Sequence, residues 1–360
     1  MPTSKLANIY AQDLLNQALI NEAVRKSVVW NSGMVATDPE LSQLVATGEG
    51  RKINRVGYND LTEPVEGGNT VQAGVHNPGY MDDSDTLLVP NNTDTWEYTN
   101  VKCATAYALG EKQIIKTCNW LPDPVAALNT RVSTYWAKFF DMYAIAMLMG
   151  VFADNVANDG LDMVYGDGTD PVDETLLIEG WGTMGDAAEL GSGIFICHSM
   201  VAKSLRKQQL IDTIASADNP HVNFEYFQGA RMLVSDQTPL YTNGADDTCL
   251  SILAQPGTME FGQSTNGIIP SETWRDPRSG VGGGEEMLIT RQLFSMGITG
   301  FSWEDDTVTG SVAAGAIGGL DTGTKLFPSI ADQRVAANWD RVLDRKKIKI
   351  AFVHTSEKPA

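Results

Sequence analysis

The run "PDPVAALNTRVSTYWAKFFDMYAIAMLMG" constrains this chain more than any other stretch of its 360 residues. Asp123 is placed to cap a helix and Pro124 to occupy its first position, where a missing N–H costs nothing. Val125, Leu128, Val132, Trp136, Phe139, Phe140, Tyr143, Met147 and Leu148 then form a broad apolar stripe, with no interruption before Gly150. At ~1.5 Å per residue the predicted helix is roughly 40 Å long, beyond the usual length in a globular protein. A stripe of that length needs several covering surfaces, so the rest of the chain is expected to hang from it. Its most apolar part, "FFDMYAIAMLMGVF", is too short for a membrane span and carries Asp141.

The flanking segments differ in pattern. Leu6, Ile9, Leu14, Leu15, Ala18, Leu19, Ala23 and Val24 recur at helical spacing, predicting a helical arm over 5–30 whose apolar face needs an outside partner. Such an arm gains order from neighbours, and a chain lacking residues 1–30 is expected to remain folded. Over 51–110, "RKINRVGYN" and "DTWEYTNVKCATAYAL" read as strands joined by a Gly-, Asn- and Asp-rich tip, a long hairpin. From 175 to 298 helical and strand patterns mix, predicting an α+β unit around one central sheet. There "SGIFICHS" is a buried strand and "SMVAKSLRKQQLI" a helix with Ser199 as cap. After the loop "TGSVAAGAIGGLDTGTK" comes a closing segment, "NWDRVLDRKKIKIAFVHT".

Charge excludes one class of function. Basic residues number 26 against 45 acidic ones, a formal charge of −19, whereas nucleic-acid readers concentrate cations on one face. Between Lys138 and Lys203 no Lys or Arg occurs, while Asp154, Asp159, Asp162, Asp167, Asp170, Asp173, Glu174, Glu179, Asp186 and Glu189 do. Cys103, Cys118, Cys197 and Cys249 lack C-x-x-C spacing and read as buried, reduced thiols. No secretory leader is read at the start of the chain, and no membrane association is expected.

Signs of catalysis or cofactor binding fail on spacing. "GGLDTGTKL" (318–326) departs from the phosphate-loop pattern because Thr324 separates Gly323 from Lys325. "GVGGGEE" lacks the last glycine of a dinucleotide loop. The aspartates of 154–174 miss the calcium-loop order. In "CHS", Cys197, His198 and Ser199 are strand neighbours that point to opposite faces, although a hydrolase using Ser199 and His198 is the enzymatic alternative. No metal and no cofactor is expected.

The order helical arm, long hairpin, long helix, α+β unit and closing strand resembles the major capsid proteins of tailed bacteriophages, the HK97 fold. The motifs that carry the resemblance are "GIFICHSMVAKSLRKQQLID", "YFQGARMLVSDQTPL", "WRDPRSGVGGGEEMLITRQLFSMGITGFSW" and "NWDRVLDRKKIKI", in the family's order. The resemblance implies an α+β fold with an N-arm (1–50), an extended E-loop (51–108) and a P-domain with its spine helix (109–184). An A-domain (185–298) and a return to the P-domain (299–360) complete it. It implies a self-assembling coat protein, not an enzyme, forming hexamers and pentamers of an icosahedral shell. That shell would be assembled in the host cytoplasm as a procapsid that matures, and would enclose double-stranded DNA without sequence specificity. A separate scaffolding protein, a portal and a decoration protein are the implied partners. Some relatives crosslink an E-loop Lys to a P-domain Asn, but Lys52, at the hairpin base, is the one Lys between Lys26 and Lys102. The alternative within the fold is an encapsulin-like nanocompartment shell.

The closing segment is the candidate site. Arg341, Arg345, Lys346, Lys347 and Lys349 crowd together in an acidic chain. In "KKIKIAF", Ile348, Ile350 and Phe352 alternate with lysines, the period of a half-buried strand packed toward the long helix. The five cations would then point outward to acidic surfaces of the same or an adjacent subunit, with 139–202 as the expected partner.

Overall fold

The structure is a computed structural model that describes residues 27–47, 52–58, 95–102, 107–113, 124–185, 193–215, 223–236, 238, 240–243, 246–265, 268–278, 285–304 and 328–356. The arm over 5–26, the hairpin tip 59–94 and the glycine-rich run 318–326 lie outside the described residues.

The long helix, α3 (Pro124–Ala157), follows a short helix α1 (Val28–Asn31) and a second helix α2 (Pro39–Thr47). It has 34 residues, ~51 Å of rise, and does not stop at Gly150. That glycine serves close approach rather than termination. A Cβ there would meet Gln333 O at 2.0 Å and Trp339 Nε1 at 2.3 Å. From Tyr143 to Phe152 every residue is buried, so the apolar stripe widens to the whole circumference. Thr130–Ala157 is apolar and long enough to cross a membrane by composition, but most of it is covered by the protein's own sheets.

Two sheets supply that cover. The first contains β1 (Val35–Thr37), β2 (Lys52–Tyr58), β3 (Thr95–Lys102), β4 (Tyr107–Gln113), β12 (Met259–Ser264), β13 (Ser271–Asp276) and β14 (Glu285–Ile298). Its order is β1-β12-β14-β3-β2. The 14-residue β14 carries β13 and β4 along its first half, then β12 and β3 along its second. The second sheet has the order β5-β17-β11-β6-β9-β8-β7, with β10 on β11. Its strands are β5 (Val164–Tyr165), β6 (Ile194–Cys197), β7 (Asp212–Ala215), β8 (Asn223–Phe227), β9 (Ala230–Val234), β10 (Leu240–Asn243), β11 (Asp246–Ala254) and β17 (Ile350–Thr355). A two-stranded pair, β15 (Phe301–Trp303) with β16 (Trp339–Arg341), closes the end of α3.

The expectation of one central sheet over 175–298 is therefore corrected. After the Pro256–Gly257 turn, the chain leaves the second sheet and β12 enters the first. Both hairpin arms are present as antiparallel β2 and β3, paired from Lys52↔Val101 to Tyr58↔Thr95. The apolar run that follows β3 forms a separate strand, β4.

Alternation explains why the second sheet reads as continuous apolar sequence. Ile194, Ile196, Leu250, Ile252, Ile350 and Phe352 face α3 and the main core. Phe195, Cys197, Cys249, Leu253, Ala351 and Val353 face a second core built with α5 (Ser199–Lys207) and bordered by α4 (Glu174–Gly182). Strands covered on both faces lose the apolar–polar alternation of a half-buried strand. This corrects the closing strand: β17 is buried at all six positions. The lysines precede it, on a 3-10 turn at Arg345–Lys347 and at Lys349. The apolar packing toward the long helix holds, with Phe352 and Phe152 rings 5.3 Å apart.

Candidate assembly surfaces

The five cations of the closing segment divide by side-chain chemistry. Arg341 reaches back to the acidic stretch of its own chain, with Nη1 2.7 Å from an Asp162 oxygen and Nη2 3.3 Å from Asp159. Arg345 donates to Thr183 Oγ1 at 2.9 Å, to Ile348 O at 3.0 Å and to Asp162 O at 3.3 Å. Burial, partly offset by Asp162, pushes its guanidinium down to about 10. These two arginines do not point outward as expected. They fasten the closing segment to the loop after α3, where a planar fork can engage several oxygens at once. Lys346, Lys347 and Lys349 are exposed, as expected of them.

The acidic side of this joint is crowded. Asp154, in the last turn of α3, accepts from Asn158 Nδ2 at 2.6 Å. Burial, reinforced by Asp159 and Asp340, pushes its carboxyl up to about 6. Asp340 is also raised, first by burial and then by Glu304 and Asp159. Asp162 accepts from Asn155 Nδ2 at 2.7 Å as well as from Arg341. Among the described residues no group of three or more His, Cys, Asp and Glu is arranged to hold a metal.

The hairpin is fixed at its root by a polar cluster. Glu260 on β12 accepts from Tyr98 Oη at 2.9 Å and from Asn100 Nδ2 at 3.0 Å, and pairs with Arg55 at 3.2 Å. Arg55 also meets Asp38, ahead of α2, at 2.8 Å. Burial first, and then Glu260, holds the Tyr98 phenol above its ordinary range. On the other side Lys52 donates to Glu304 O at 2.5 Å and Thr99 Oγ1 to Trp303 O at 2.6 Å. Past this root the arm turns apolar side chains outward: Val56 is 67 % and Tyr58 76 % exposed. Sequence reasoning missed the cluster, because its members lie far apart in the chain and no local pattern joins them.

The start of the described chain is anchored too. Asp141, the one acid in the apolar run of α3, accepts from Val29 N at 3.1 Å and from Ser27 Oγ. Ser27 in turn caps α1 by accepting from Trp30 N at 3.1 Å. Trp30 packs on Phe140 and Phe261, with ring centres 5.5 and 4.8 Å away. Ser27, Val29 and Trp30 thus tie this segment to the core, so deleting residues 1–30 would remove packing contacts as well as the arm.

The hydrolase alternative finds a helix cap. The residue capping α5 is His198, not Ser199, and its Nδ1 accepts from Met200 N at 3.2 Å. Its Nε2 lies 3.8 Å from Asp236, whose Oδ1 also takes Ser199 N at 3.3 Å. Both ring nitrogens are directed at the cap and its acidic neighbour rather than arranged as a base for the serine.

No family model matches the sequence. The chain is 25% identical over 357 residues to the major capsid protein of Bacillus phage SPP1, covering 98% of this chain and 99% of that one. Among solved structures it resembles the capsid of Ralstonia phage GP4, with TM-score 0.51, 9% identity and coverage of 77% and 88%. It also resembles the capsid asymmetric unit of Cyanophage Pam1, with TM-score 0.50, 9% identity and 94% of each chain covered.

Proposed function

We propose that this chain, a capsid coat protein with the HK97 fold of tailed-phage major capsid proteins, builds an icosahedral shell from hexamers and pentamers of itself around double-stranded DNA. The observation that carries the reading is the end-to-end similarity to the SPP1 coat protein, with nearly all of both chains aligned. The fold agrees, since its likeness to capsid subunits spans 94% of the chain.

Physical features support the details. A formal charge of −19 suits a wall that must enclose DNA without binding it, because each added phosphate contact deepens affinity. Residues 1–50 act as an N-arm and 51–108 as an E-loop reaching a neighbouring subunit with the Val56–Tyr58 face. Residues 109–184 form the P-domain with its spine helix, 185–298 the A-domain, and 299–360 the return to the P-domain. Lys346, Lys347 and Lys349 contact acidic surfaces of adjacent subunits, while Arg341 and Arg345 hold the segment that presents them. A separate scaffolding protein guides assembly in the host cytoplasm, and a portal and a decoration protein complete the particle.

Electron microscopy of the purified protein, alone and with candidate scaffold, tests the reading. Closed or partial shells built of six- and five-membered rings are expected. A homogeneous small oligomer under all conditions would overturn it, and shells filled with protein cargo instead of nucleic acid would overturn the packaging role.

A further inference from the structure

The last turn of α3 buries a carboxylate that the fold leaves half satisfied. Asp154 is 1 % exposed, and only its Oδ1 has a donor; Oδ2 is buried without a hydrogen-bond partner. Asp159 repeats the pattern five positions on, with one oxygen toward Arg341 and Oδ2 buried and unpartnered. A buried anionic oxygen without a donor is costly, and binding a proton removes the charge.

Among the described residues the surroundings offer no second cation for it. Arg341 is already shared by Asp159 and Asp162, and Arg345 by Asp162 O, Thr183 and Ile348 O. Asp340 of β16 faces the same pocket of charge, with Glu304 behind it. On the 3-10 turn Asp332–Arg334, which also packs on α3, the Asp332 carboxylate is taken by Ser329 N and Oγ, and Arg334 is exposed.

We propose that Asp154 holds a proton that locks the closing segment onto the end of α3, and that losing it loosens the joint by adding a negative charge beside Asp159 and Asp340. The inference stands on the fold and is independent of shell formation. Burial places the transition near pH 6. A carboxyl raised above its unfolded value stabilises the fold fully below the ordinary carboxylate range, and that contribution is lost as pH rises through the folded value. The joint is therefore tight in mild acid and relaxed at neutrality. Val342 N and Leu343 N, which both donate to Gly300 O, report it directly.

The test uses the full chain and Asp154→Asn, which keeps the shape and cannot ionise. The melting temperature of the variant relative to wild type is expected to rise by several degrees between about pH 5 and about pH 7.5. In wild type, exchange of the Val342 and Leu343 amides should accelerate over that range beyond the chemical rate, and the variant should abolish the excess. A pH-independent difference, or identical exchange in both proteins, overturns the proposal. So does a calcium titration that reproduces the tightening at neutral pH, because a cation rather than a proton would then fill the site. If the variant does not fold, wild-type exchange without an excess overturns the proposal and exchange with one supports it.

Discussion

Strands β17 and β2 are similar in length and opposite in circumstance. β17 reads "IAFVHT", pairs with β5 on one edge and β11 on the other, and is buried at every position. β2 reads "KINRVGY", pairs among the described residues with β3 alone, and buries only Ile53. Both are held firmly, but by different forces. Apolar burial on two faces holds β17, at ~25 cal/mol per Å² removed from water. The root of β2 is held by Arg55 between Asp38 and Glu260, and its outer half offers Val56 and Tyr58 to whatever lies beyond the subunit. Interior apolar surface stabilises the subunit; the same kind of surface left outside can stabilise only an assembly.

That contrast can be broken first at its strongest point. Phe352→Ala is expected to destabilise the subunit by about 3–5 kcal/mol, through lost transfer energy and the cavity left against Phe152. Denaturant unfolding measures it. Replacing Val56 and Tyr58 together by Ser should change the same measurement by no more than ~0.5 kcal/mol while reducing shell yield. Comparable destabilisation by both variants would erase the distinction.

A smaller effect probes the root. Glu260→Ala strips three donors, those of Arg55, Tyr98 and Asn100, of a shared acceptor, for a cost of about 1–3 kcal/mol. Hydrogen exchange in β2 and β3 should rise more than in β17. Equal rises would mean that the two regions unfold as one. Next in size, Asp141→Ala removes the acceptor for Ser27 and Val29 and should cost about 1 kcal/mol. Deleting residues 1–26 spares this anchor, whereas deleting 1–30 removes it; melting temperatures that fail to separate the two truncations would refute it. Smallest for the subunit is Lys347→Glu with Lys349→Glu, expected within ~0.5 kcal/mol in unfolding. Light scattering should nevertheless show slower assembly, and wild-type assembly kinetics would reduce these lysines to a solvated face.

The sequence made some of this legible, for identifiable reasons. The long helix was readable because its stripe repeats over many turns, yet its end was misread because Gly150 answers to Trp339 and Gln333, far along the chain. The order of elements was enough to suggest the fold. The division into two sheets was not readable, since β11 and β12 are separated only by a short turn and pair with different partners. Of the candidate site, the crowding of cations was visible, and so was an acidic partner within 139–202. The inward turn of the two arginines depended on Asp159 and Asp162 meeting the closing segment in space. Glu260 carried no signal at all, because a lone acid in a strand gains its meaning only from three donors more than a hundred residues away.

The inside position of β17 also bears on the timing of synthesis. Its partners β5 and β11 are made long before residues 350–355 emerge, and until then the second sheet has a gap between them. Pairing Phe352 with Val164 closes a very long loop, the kind of contact that folds slowly. A nascent or prematurely terminated chain therefore lacks the strand that both cores share. If the chain builds a shell as proposed above, this arrangement withholds a competent subunit until translation has passed the closing segment, so unfinished chains are screened out before they can be built into a particle.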